Sequence, residues 1–332
     1  MRTAVLVTGG AGFVGSHVCK ALAAAGFLPV AYDNLSQGHR WAVRWGPLEI
    51  GDIEDRGRLQ QVMDRYRPIA VMHFAALIAA GESVVKPAKY YKNNVARFLV
   101  LLDAMQRQKI DRIVFSSTAA VYGTPERTPI DEKHPLAPIN PYGMSKLMGE
   151  RILQDCATAY GLRSIALRYF NAAGSDPDGE IGEAHEPETH LIPIVLEAAA
   201  GDRPHVAVYG TDYPTEDGTC VRDYVHVTDL AAAHVLALAR LENAHGAEAF
   251  NLGNGNGFSV REVIAAAERV SGNKIAIKQE PRRAGDPPIL VADAHRARTD
   301  LGWRPAYSDL DVQISNAWRW AQGWSRQQAV GK

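Results

Sequence analysis

Tyr142 and Lys146 stand four residues apart and form the pair of side chains in this sequence best suited to proton transfer. On a helix, residues four apart share a face, about one turn along the axis. Tyrosine normally ionises at about pH 10, which is too high for a useful base. A lysine cation one turn away would stabilise the phenolate and lower the pKa of the tyrosine. The same spacing is common on ordinary amphipathic helices, so other motifs must support this assignment.

A glycine-rich run supplies that support, because the chain reads Thr8-Gly-Gly-Ala-Gly-Phe-Val-Gly15 directly after its first apolar segment. Gly10, Gly12 and Gly15 satisfy the pattern GxGxxG, and Gly9, Gly12 and Gly15 satisfy GxxGxxG. Glycines let the backbone approach a pyrophosphate closely, and a helix N-terminus supplies donors and a partial positive charge. Alone, the run would fit any tight turn. Its position at the first strand-to-helix junction predicts dinucleotide binding.

Asp33 ends the second strand-like run, 18 residues beyond Gly15. A carboxylate at this place accepts hydrogen bonds from the ribose hydroxyls and repels a 2′-phosphate, so it favours NAD over NADP. Two other interpretations are weaker. Asp33 could merely begin a turn with Asn34, and Arg40 nearby could favour NADP, but single arginines in loops are usually solvated. The predicted cofactor is NAD.

Three hydroxyl residues, Ser116, Ser117 and Thr118, end the fifth strand-like run. This is the carboxyl edge at which doubly wound folds bind their ligands. A hydroxyl there is placed to hydrogen-bond the reacting oxygen of a substrate. Because polar residues commonly close strands, the triplet is a weak signal by itself.

A parallel sheet is needed to position these residues, and the first half of the chain alternates short apolar runs with amphipathic stretches, as βαβ units do. The predicted strands are Ala4–Val7, Leu28–Tyr32, Leu48–Ile50, Ile69–Phe74, Arg112–Ser116 and Ser164–Tyr169. The predicted helices are Gly12–Ala25, Asp55–Tyr66, Ala88–Gln108 and Tyr142–Tyr160. The fold class is therefore α/β, with a doubly wound parallel sheet of the Rossmann type.

The pattern changes near Asn171. Residues 172–220 are rich in Gly, Pro, Asp and Glu, which predicts loops rather than another regular crossover. Ordered elements then return, and they are predicted as strands at Val206–Tyr209 and Ala249–Leu252, a helix at Thr228–Leu241 and a further helix opened by a capping box at Ser259-Val-Arg-Glu262.

Two interleaved domains are predicted from these elements. Residues 1–171 form the NAD-binding Rossmann domain, to which later segments at about 206–250 return. Residues 172–332 form most of a smaller, mixed α/β domain that binds the substrate. A chain of 332 residues is long enough to bury a core of this size.

Composition excludes several classes of partner. Lys plus Arg number 36 and Asp plus Glu 37, so no global field recruits nucleic acid or an anionic membrane. No apolar run approaches the ~18 residues that span a bilayer, and the N-terminus lacks the features of a signal peptide. Cys19, Cys156 and Cys220 are far apart and form no paired motif. A cytoplasmic protein is expected.

One further cluster combines acidic and histidine residues, namely Glu183, His185, Glu186, Glu188 and His190. It could indicate a metal site, but Pro187 interrupts it and the spacing is not the HExxH that places two imidazoles on one helical face. The sequence therefore favours a flexible loop without a metal site for these residues.

Several longer motifs are shared with a known family. They are TGGAGFVG, SST followed by AAVYG, YGMSK, RYFN, the block Tyr213-Pro-Thr-Glu-Asp-Gly-Thr-Cys-Val-Arg-Asp-Tyr-Val-His226, and Arg282-Arg-Ala-Gly-Asp286. With them, the chain resembles the UDP-glucose 4-epimerase family of extended short-chain dehydrogenase/reductases from about Arg2 to Trp303. The first motifs occur across the superfamily, whereas the last two point to the 4-epimerase branch.

The resemblance implies a function and a set of site residues. It implies reversible, NAD-dependent epimerisation of UDP-glucose and UDP-galactose at carbon 4 through a 4-keto sugar, with Tyr142 as base, Lys146 as its partner and Thr118 as the catalytic hydroxyl. Beyond the glycines and these residues, the cofactor-contacting positions are Phe13, Val14, Asp33, Asn34, Leu35, Asp52, Ile53, Phe74, Ala75, Ala76, Leu77, Asn93 and Phe170. With Thr118, the positions that hold the UDP-sugar are Asn171, His190, Leu191, Ala207, Val208, Tyr209, Arg222, Arg283, Asp286 and Leu290.

Three of the matched positions depart from the best-studied bacterial pattern. Ile78 stands where a cofactor-contacting Lys is often found, and His190 replaces an Asn in the loop that cradles the nucleotide. Leu290 occupies a position beside the sugar ring that is Tyr in some bacterial members. The smaller side chain predicts that UDP-N-acetylglucosamine and UDP-N-acetylgalactosamine are substrates as well.

Two alternative functions compete with this one. A sugar-nucleotide 4,6-dehydratase shares the glycine motif and YxxxK, but it needs an acid and a base directly after the strand-end hydroxyl, where this chain has Ala119 and Ala120. A non-catalytic nucleotide-sensing module would have no reason to keep Tyr142, Lys146 and Thr118 together.

The resemblance also favours a homodimer formed through the helices at Ala88–Gln108 and Tyr142–Tyr160. The first of these helices has apolar residues at spacings of three and four, which are Val95, Phe98, Leu99, Leu102 and Met105. Such a stripe could equally pack only on the sheet.

Overall fold

The computed structural model of the chain describes residues 2–283 and 286–330. The strands in this part are β1 Ala4–Thr8, β2 Leu28–Asp33, β3 Leu48–Ile50, β4 Ala70–His73, β5 Arg112–Thr118, β6 Arg163–Tyr169, β7 Asn171–Ala173, β8 Val206–Tyr209, β9 Val221–His226, β10 Ala247–Leu252, β11 Gly257–Ser259, β12 Ile277–Glu280 and β13 Ile289–Leu290. The helices are α1 Phe13–Ala24, α2 Arg56–Tyr66, α3 Ala80–Val85, α4 Pro87–Tyr91, α5 Arg97–Arg107, α6 Pro141–Tyr160, α7 Leu191–Ala200, α8 Val227–Arg240, α9 Val260–Ser271, α10 His295–Asp300 and α11 Leu310–Val330.

The larger sheet contains seven parallel strands in the order β10-β6-β5-β4-β1-β2-β3. The chain moves outward from β1 to β2 and β3, and then returns to the other side of β1 with β4. This reversal makes the carboxyl ends of β1 and β4 a topological switch point, where doubly wound sheets bind ligands. The predicted doubly wound α/β fold is confirmed.

Helices cover both faces of this sheet because its strands alternate their side chains between two cores. In β1, Val5 and Val7 belong to a core that includes residues of α1 and α8, whereas Leu6 belongs to a core that includes residues of α2, α5 and α6. Successive residues of a strand point to opposite faces, so each strand contributes to both cores. The site at the carboxyl edge therefore stands on a rigid, three-layered base.

A smaller region is built from the remaining strands and from α7, α9 and α11, which share a third core. β11, β9 and β13 form one sheet together with β7, and β8 pairs with β12. The segment 206–250 is divided between the two regions. Its strands β8 and β9 lie in the small sheets, whereas α8 packs on the large sheet and β10 joins that sheet. The return to the large sheet occurs at α8 and β10 rather than at about residue 206.

The loop prediction for 172–220 was wrong for α7, a ten-residue helix. Its apolar residues Ile192, Val195 and Leu196 are buried in the third core, and that packing stabilises the helix. Pro193 stands in its first turn, where the missing N–H interrupts no helical hydrogen bond. No helix in the described part of the chain is long and apolar enough to cross a membrane.

Candidate active site

The glycine motif joins β1 to α1 at the switch point, and three of its glycines are required by close packing of the backbone. Gly9 has φ +76°, and a Cβ on it would lie 2.6 Å from the amide nitrogen of Ala75. A Cβ on Gly10 would lie 2.8 Å from the Ala31 Cβ, and one on Gly15 2.2 Å from the Gly9 carbonyl oxygen. Any side chain at these positions would push α1 away from the sheet.

Gly12 differs from the other glycines, since the nearest atom to a Cβ there is the Gly9 carbonyl oxygen at 3.4 Å. It is the N-cap of α1, a helix described over its whole length, which has no side-chain cap and no acidic residue in its first turn. The N-terminal amides are therefore open toward the carboxyl edge, with Phe13 and Val14 in the first turn. This arrangement fits a dinucleotide pyrophosphate, which needs backbone donors and no competing carboxylate.

Asp33 is held beside the glycine motif by two backbone amides. Its Oδ2 accepts a hydrogen bond from Ala11 N at 3.0 Å, and its Oδ1 accepts one from Leu35 N at 2.8 Å. Burial raises the pKa of Asp33, and these two hydrogen bonds oppose that effect. Each oxygen keeps a further lone pair, so the carboxylate can also accept from two ribose hydroxyls.

The other predicted cofactor positions surround this point. Asn34 donates to the Asp52 carboxylate at 2.8 Å, and Ile53 beside it is buried. The segment Phe74–Leu77 follows β4, and its last residue donates its amide to Asn94 Oδ1 at 2.9 Å. Phe170 follows β6 and packs against the cluster that contains Ala119 and Leu147, whereas Ile78 is 47% exposed.

Asn94, which the sequence analysis missed, holds the main chain of Leu77 more directly than its predicted neighbour Asn93. The Asn94 amide nitrogen donates to the Leu77 carbonyl at 2.9 Å and to the Ser145 hydroxyl at 3.0 Å. Asn93 instead donates to Asn94 Oδ1 and accepts from Arg97. A π-helical turn, Lys92–Ala96, carries both asparagines between α4 and α5. Such turns often occur at functional sites.

The predicted catalytic residues meet where β5 ends beside the first turns of α6. The Thr118 side chain adjoins the Tyr142 phenol and lowers its pKa, and Thr118 Oγ1 accepts from Ala120 N at 3.1 Å. Lys146 is 3% exposed, and its Nζ donates to the Ser116 carbonyl oxygen at 2.8 Å. The structure therefore brings together a phenol, a hydroxyl and an amine at the carboxyl edge of the sheet.

The electrostatics of this group differ from the sequence-based expectation. Burial raises the pKa of Tyr142, and the hydrogen bond with Thr118 opposes it. Burial lowers the pKa of Lys146 to about 7, against the opposing charge of Glu150. In the protein alone, Thr118 rather than Lys146 is therefore the group that favours the phenolate.

Local sequence explains why α6 lies so close to β5. Asn140 caps the helix, its Oδ1 accepting from Gly143 N at 2.9 Å, and Pro141 occupies the first helical position. A Cβ on Gly143 would lie 2.5 Å from the Ala120 carbonyl oxygen, and one on Gly149 2.6 Å from the Phe115 ring. Glycines at these two positions let the helix approach the end of β5.

A buried polar network beneath α6 was not found from the sequence. Glu150 accepts from Arg168 Nε at 2.9 Å and from the Ser117 hydroxyl at 2.5 Å. Arg168 also donates to the Tyr122 hydroxyl at 3.0 Å, which donates in turn to Asn251 Oδ1 at 2.6 Å. Glu150 stands one turn beyond Lys146, so continuing the same helical spacing would have identified it. The network fixes the rotation of the helix that carries the catalytic pair.

Several predicted substrate residues lie on strands of the smaller region, namely Tyr209 on β8, Arg222 on β9 and Leu290 on β13. Arg222 pairs with Asp286, and Arg283 stacks over Tyr209, 3.9 Å from the ring centroid. Leu290 is the register partner of Arg222 and packs on the cluster that contains Ala119 and Leu147. Ala284 and Gly285 of the motif lie outside the described residues.

Three further predicted positions have mixed outcomes. Asn171 begins β7 directly beyond the strand paired with Thr118, so it lies near the catalytic hydroxyl. Val208 is buried in the third core, so only its main chain can face a ligand, unlike Ala207 and Tyr209 on either side. His190 precedes Leu191 at the start of α7, and its ring turns toward Glu183 and Glu188 rather than toward the catalytic residues.

Four side chains of the acidic and histidine cluster converge, although they lie on a loop as predicted. Ligand atoms of Glu183, His185, Glu188 and His190 all lie within 4.8 Å of one another. Burial alone would lower the pKa of His185, but Glu183 and Glu188 raise it to about 9. Glu186, the fifth member of the sequence cluster, is exposed.

Comparison with known proteins gives a consistent result. The family model described as "NAD dependent epimerase/dehydratase family" matches residues 5–253. A relative from Rhizobium meliloti (strain 1021), named UDP-glucose 4-epimerase, is 53% identical over 316 residues, which is 95% of this chain and 96% of the relative.

Two solved structures are similar over nearly the whole chain. The UDP-glucose 4-epimerase from Brucella ovis in complex with NAD is 54% identical, with a TM-score of 0.93, covering 96% of this chain and 98% of that one. The enzyme of the same name from Bifidobacterium longum, in complex with NAD+ and UDP, is 39% identical, with a TM-score of 0.92, covering 97% and 98%.

Proposed function

Because the chain belongs to the NAD dependent epimerase/dehydratase family, and within it to the UDP-glucose 4-epimerases, we propose that it interconverts UDP-glucose and UDP-galactose with bound NAD. The observation that carries this proposal is the pair Tyr142 and Thr118 beside buried Lys146, at the carboxyl edge that the glycine motif and Asp33 also border. A proton-transfer group and a dinucleotide cradle thus share one cleft.

NAD, when bound, supplies a reversible acceptor for the hydride of carbon 4. Tyr142, as phenolate, takes the proton of the sugar 4-hydroxyl and returns it when the carbon is reduced again. The Thr118 hydroxyl donates a hydrogen bond to the same sugar oxygen and favours the phenolate form of Tyr142. The buried amine of Lys146, one turn away, adds positive charge when it is protonated. Oxidation and reduction occur at the same carbon, so the reaction has no net redox change.

Inversion requires that the 4-keto sugar present its opposite face without leaving the protein. We assign the UDP grip to Arg222 and Arg283, since forked guanidinium donors suit a diphosphate. Arg222 lies in the smaller region, on β9, whereas Tyr142 lies on α6 beside the large sheet, so the sugar can turn while the nucleotide stays bound. Binding energy far from the reacting carbon supplies orientation in this way.

The two alternatives are disfavoured by the same site. A 4,6-dehydratase needs an acid and a base near carbon 6, but Thr118 is followed by a short 3-10 turn, Ala119–Val121, whose side chains are apolar. A sensing module has no use for a buried lysine with a lowered pKa beside a hydrogen-bonded tyrosine. Perturbed groups of this kind in a cleft are typical of catalysis.

The deciding experiment incubates the purified protein with UDP-galactose and follows UDP-glucose in a dehydrogenase-coupled assay, without added cofactor in the first reaction. We expect UDP-glucose of unchanged mass. A product lighter by one water would identify a dehydratase. No product after reconstitution with NAD would favour a binding module and contradict the proposal.

We also propose that the protein is a homodimer through α5 and α6. The predicted stripe is only partly available, since Phe98, Leu102 and Met105 are buried in the core beneath α5. Leu99 on α5 and Met148 on α6 are 49% and 38% exposed, and Val95 just before α5 is half-buried, so these apolar residues remain available.

Light scattering at micromolar concentration tests the dimer. We expect twice the monomer mass for the wild type and for Val312→Glu, a control at an exposed apolar position on α11. The double variant Leu99→Glu, Met148→Glu should be monomeric. A monomeric wild type would contradict the proposal.

For the compartment we propose the cytoplasm, which the three free cysteines support.

A further inference from the structure

The loop between β7 and α7 brings two imidazoles and two carboxylates to one point. His190 Nδ1 lies 2.9 Å from an oxygen of Glu183 and 2.9 Å from an oxygen of Glu188. His185 Nδ1 lies 3.1 Å and 3.6 Å from oxygens of the same two residues. Both histidines therefore direct the same ring nitrogen toward the same pair of carboxylates.

These separations are those of a tetrahedral metal site. A zinc ion binds imidazole nitrogen and carboxylate oxygen at about 2.0–2.1 Å, so neighbouring ligand atoms of a tetrahedron lie about 3.3 Å apart. Three of the four distances above are shorter than that value and one is longer, and they are measured to one oxygen of Glu183 and to both oxygens of Glu188. Two nitrogen and two oxygen ligands suit zinc better than magnesium or calcium, which prefer oxygen alone.

Burial gives a second, independent observation. The side chains of Glu183 and Glu188 are each only 7% exposed. The Nδ1 atom of His185 is buried and makes no hydrogen bond of acceptable geometry in the structure, although carboxylate oxygens lie close to it. The carboxylates lie beside this nitrogen without good hydrogen-bond geometry, an arrangement that a metal ion bound between them would complete.

A neighbouring cluster shows the contrast. Asp176, Asp178 and Glu180 also converge, but Lys20 Nζ lies 2.7–2.8 Å from an oxygen of each, so an ammonium already neutralises them. Among the ion pairs of the described residues, Glu183 and Glu188 pair only with the two histidines. The only cations that pair with Glu183 and Glu188 among the described residues are therefore imidazoles, which can lose their proton and bind a metal ion instead.

We propose that Glu183, His185, Glu188 and His190 bind one divalent transition-metal ion of the zinc class, which fastens this loop between the two parts of the molecule. The Glu183 carbonyl accepts from Trp320 Nε1 at 3.1 Å on α11, and the Ala184 carbonyl lies 2.9 Å from His39 Nε2 in the large domain. The His185 ring meets Phe13 of the glycine motif edge-on, with centroids 6.5 Å apart. The ion stands apart from the reacting carbon and takes no part in the proposed epimerisation.

Zinc binding by the full chain tests this proposal. The protein, without any histidine tag, is freed of metal with a chelator and dialysed against Zn²⁺, and bound zinc is counted by mass spectrometry. The variants are His185→Ala and, as matched control in the same loop, the exposed Glu186→Ala. We expect one zinc per chain in the wild type and in Glu186→Ala. Because even second-shell changes weaken metal sites about 10- to 100-fold, His185→Ala should bind at least about 100-fold more weakly.

Cobalt serves as a spectroscopic probe of the geometry. The wild type with Co²⁺ should show the visible absorption of a tetrahedral ion, and Glu188→Gln should lose it while keeping the shape of the loop. If His185→Ala fails to fold, the zinc affinity of Glu188→Gln decides. A wild type that binds no stoichiometric zinc, or a folded His185→Ala or Glu188→Gln that binds it as tightly as the wild type, would overturn the proposal.

Discussion

The helix that carries Tyr142 and the loops that face it are held in opposite ways. α6 is capped at Asn140 and anchored by the buried pair of Glu150 and Arg168, whose side chains are 9% and 6% exposed. The loops that face it include exposed contacts, such as the pair of Arg282 and Asp212, whose side chains are 44% and 74% exposed, beside the less exposed pair of Arg222 and Asp286.

The two parts of the site have different tasks, namely proton transfer and nucleotide binding. The groups that move protons must keep a fixed geometry, because small misplacements are costly to the reaction rate. The groups that hold the nucleotide must admit a large ligand and let its sugar turn, and weakly held loops permit this. The four substitutions below probe the two walls in turn, beginning with the largest expected effect.

Tyr142→Phe removes the titrating oxygen of the rigid wall and keeps the ring. We expect turnover to fall roughly 10²- to 10⁴-fold, the usual contribution of a general acid–base group, while NAD and UDP remain bound. Steady-state kinetics and the cofactor content of the purified variant measure this. Tyr160→Phe, at the exposed end of the same helix, is the control and should be as active as the wild type. Near-normal turnover of Tyr142→Phe would refute the role of Tyr142.

Glu150→Ala tests the anchoring of the rigid wall. Removing one member of a buried ion pair leaves the other charge uncompensated, so we expect the free energy of unfolding to fall by about 3–5 kcal/mol. Urea denaturation measures this change. Asp212→Ala breaks an exposed pair on the facing wall and should leave the urea midpoint nearly unchanged. Equal effects of the two substitutions would remove the contrast between the walls.

Arg283→Ala tests the nucleotide grip. A hydrogen bond to a charged group contributes about 1.5–3 kcal/mol, so KM for UDP-galactose should rise roughly 10- to 100-fold with a smaller change in kcat. The neighbouring Arg282→Ala is the control, since Arg282 is engaged with Asp212. If Arg282→Ala raised KM as much as Arg283→Ala, a general loss of loop structure would explain both results.

Leu290→Tyr should give the most selective effect. Leu290 packs beside Ala119 and next to Arg222, so its size sets the room near the sugar. We expect the wild type to epimerise UDP-N-acetylglucosamine, and Leu290→Tyr to lose that activity while keeping most of its activity on UDP-glucose, because close-packed sites respond to small volume changes. Parallel assays on the two substrates measure this. Equal loss on both, or a wild type without N-acetylated activity, would exclude Leu290 as the gate.

The part of the site on α6 and at the end of β5 was the more predictable from sequence. Its residues lie on regular elements, so spacing gives geometry: Tyr142 and Lys146 share a helical face, and the hydroxyl triplet closes β5. The same rule would have found Glu150. The boundaries of the strands and helices of the large sheet came within a few residues of the structure for the same reason.

The facing wall was less predictable because its contacts depend on how loops turn. His185 and His190 do not share a helical face, yet a turn at Glu186-Pro187 brings them together, and Glu188 holds it by accepting from the amides of Thr189 and His190 at 2.7 and 2.8 Å. Helical spacing cannot reveal such a site. Similarly, the composition of residues 172–220 concealed α7, whose stability comes from packing on the third core.

The most direct test of the proposed function uses UDP-galactose deuterated at carbon 4. If the hydride leaves carbon 4 and returns to it while Tyr142 moves only the hydroxyl proton, the UDP-glucose formed in ordinary water keeps the deuterium at carbon 4. NMR of the product, with NAD-loaded enzyme and no other redox reagent, reads the label. We predict retention of deuterium together with inversion at that carbon. Loss of the label to water, or inversion that proceeds equally well in Tyr142→Phe, would contradict this mechanism.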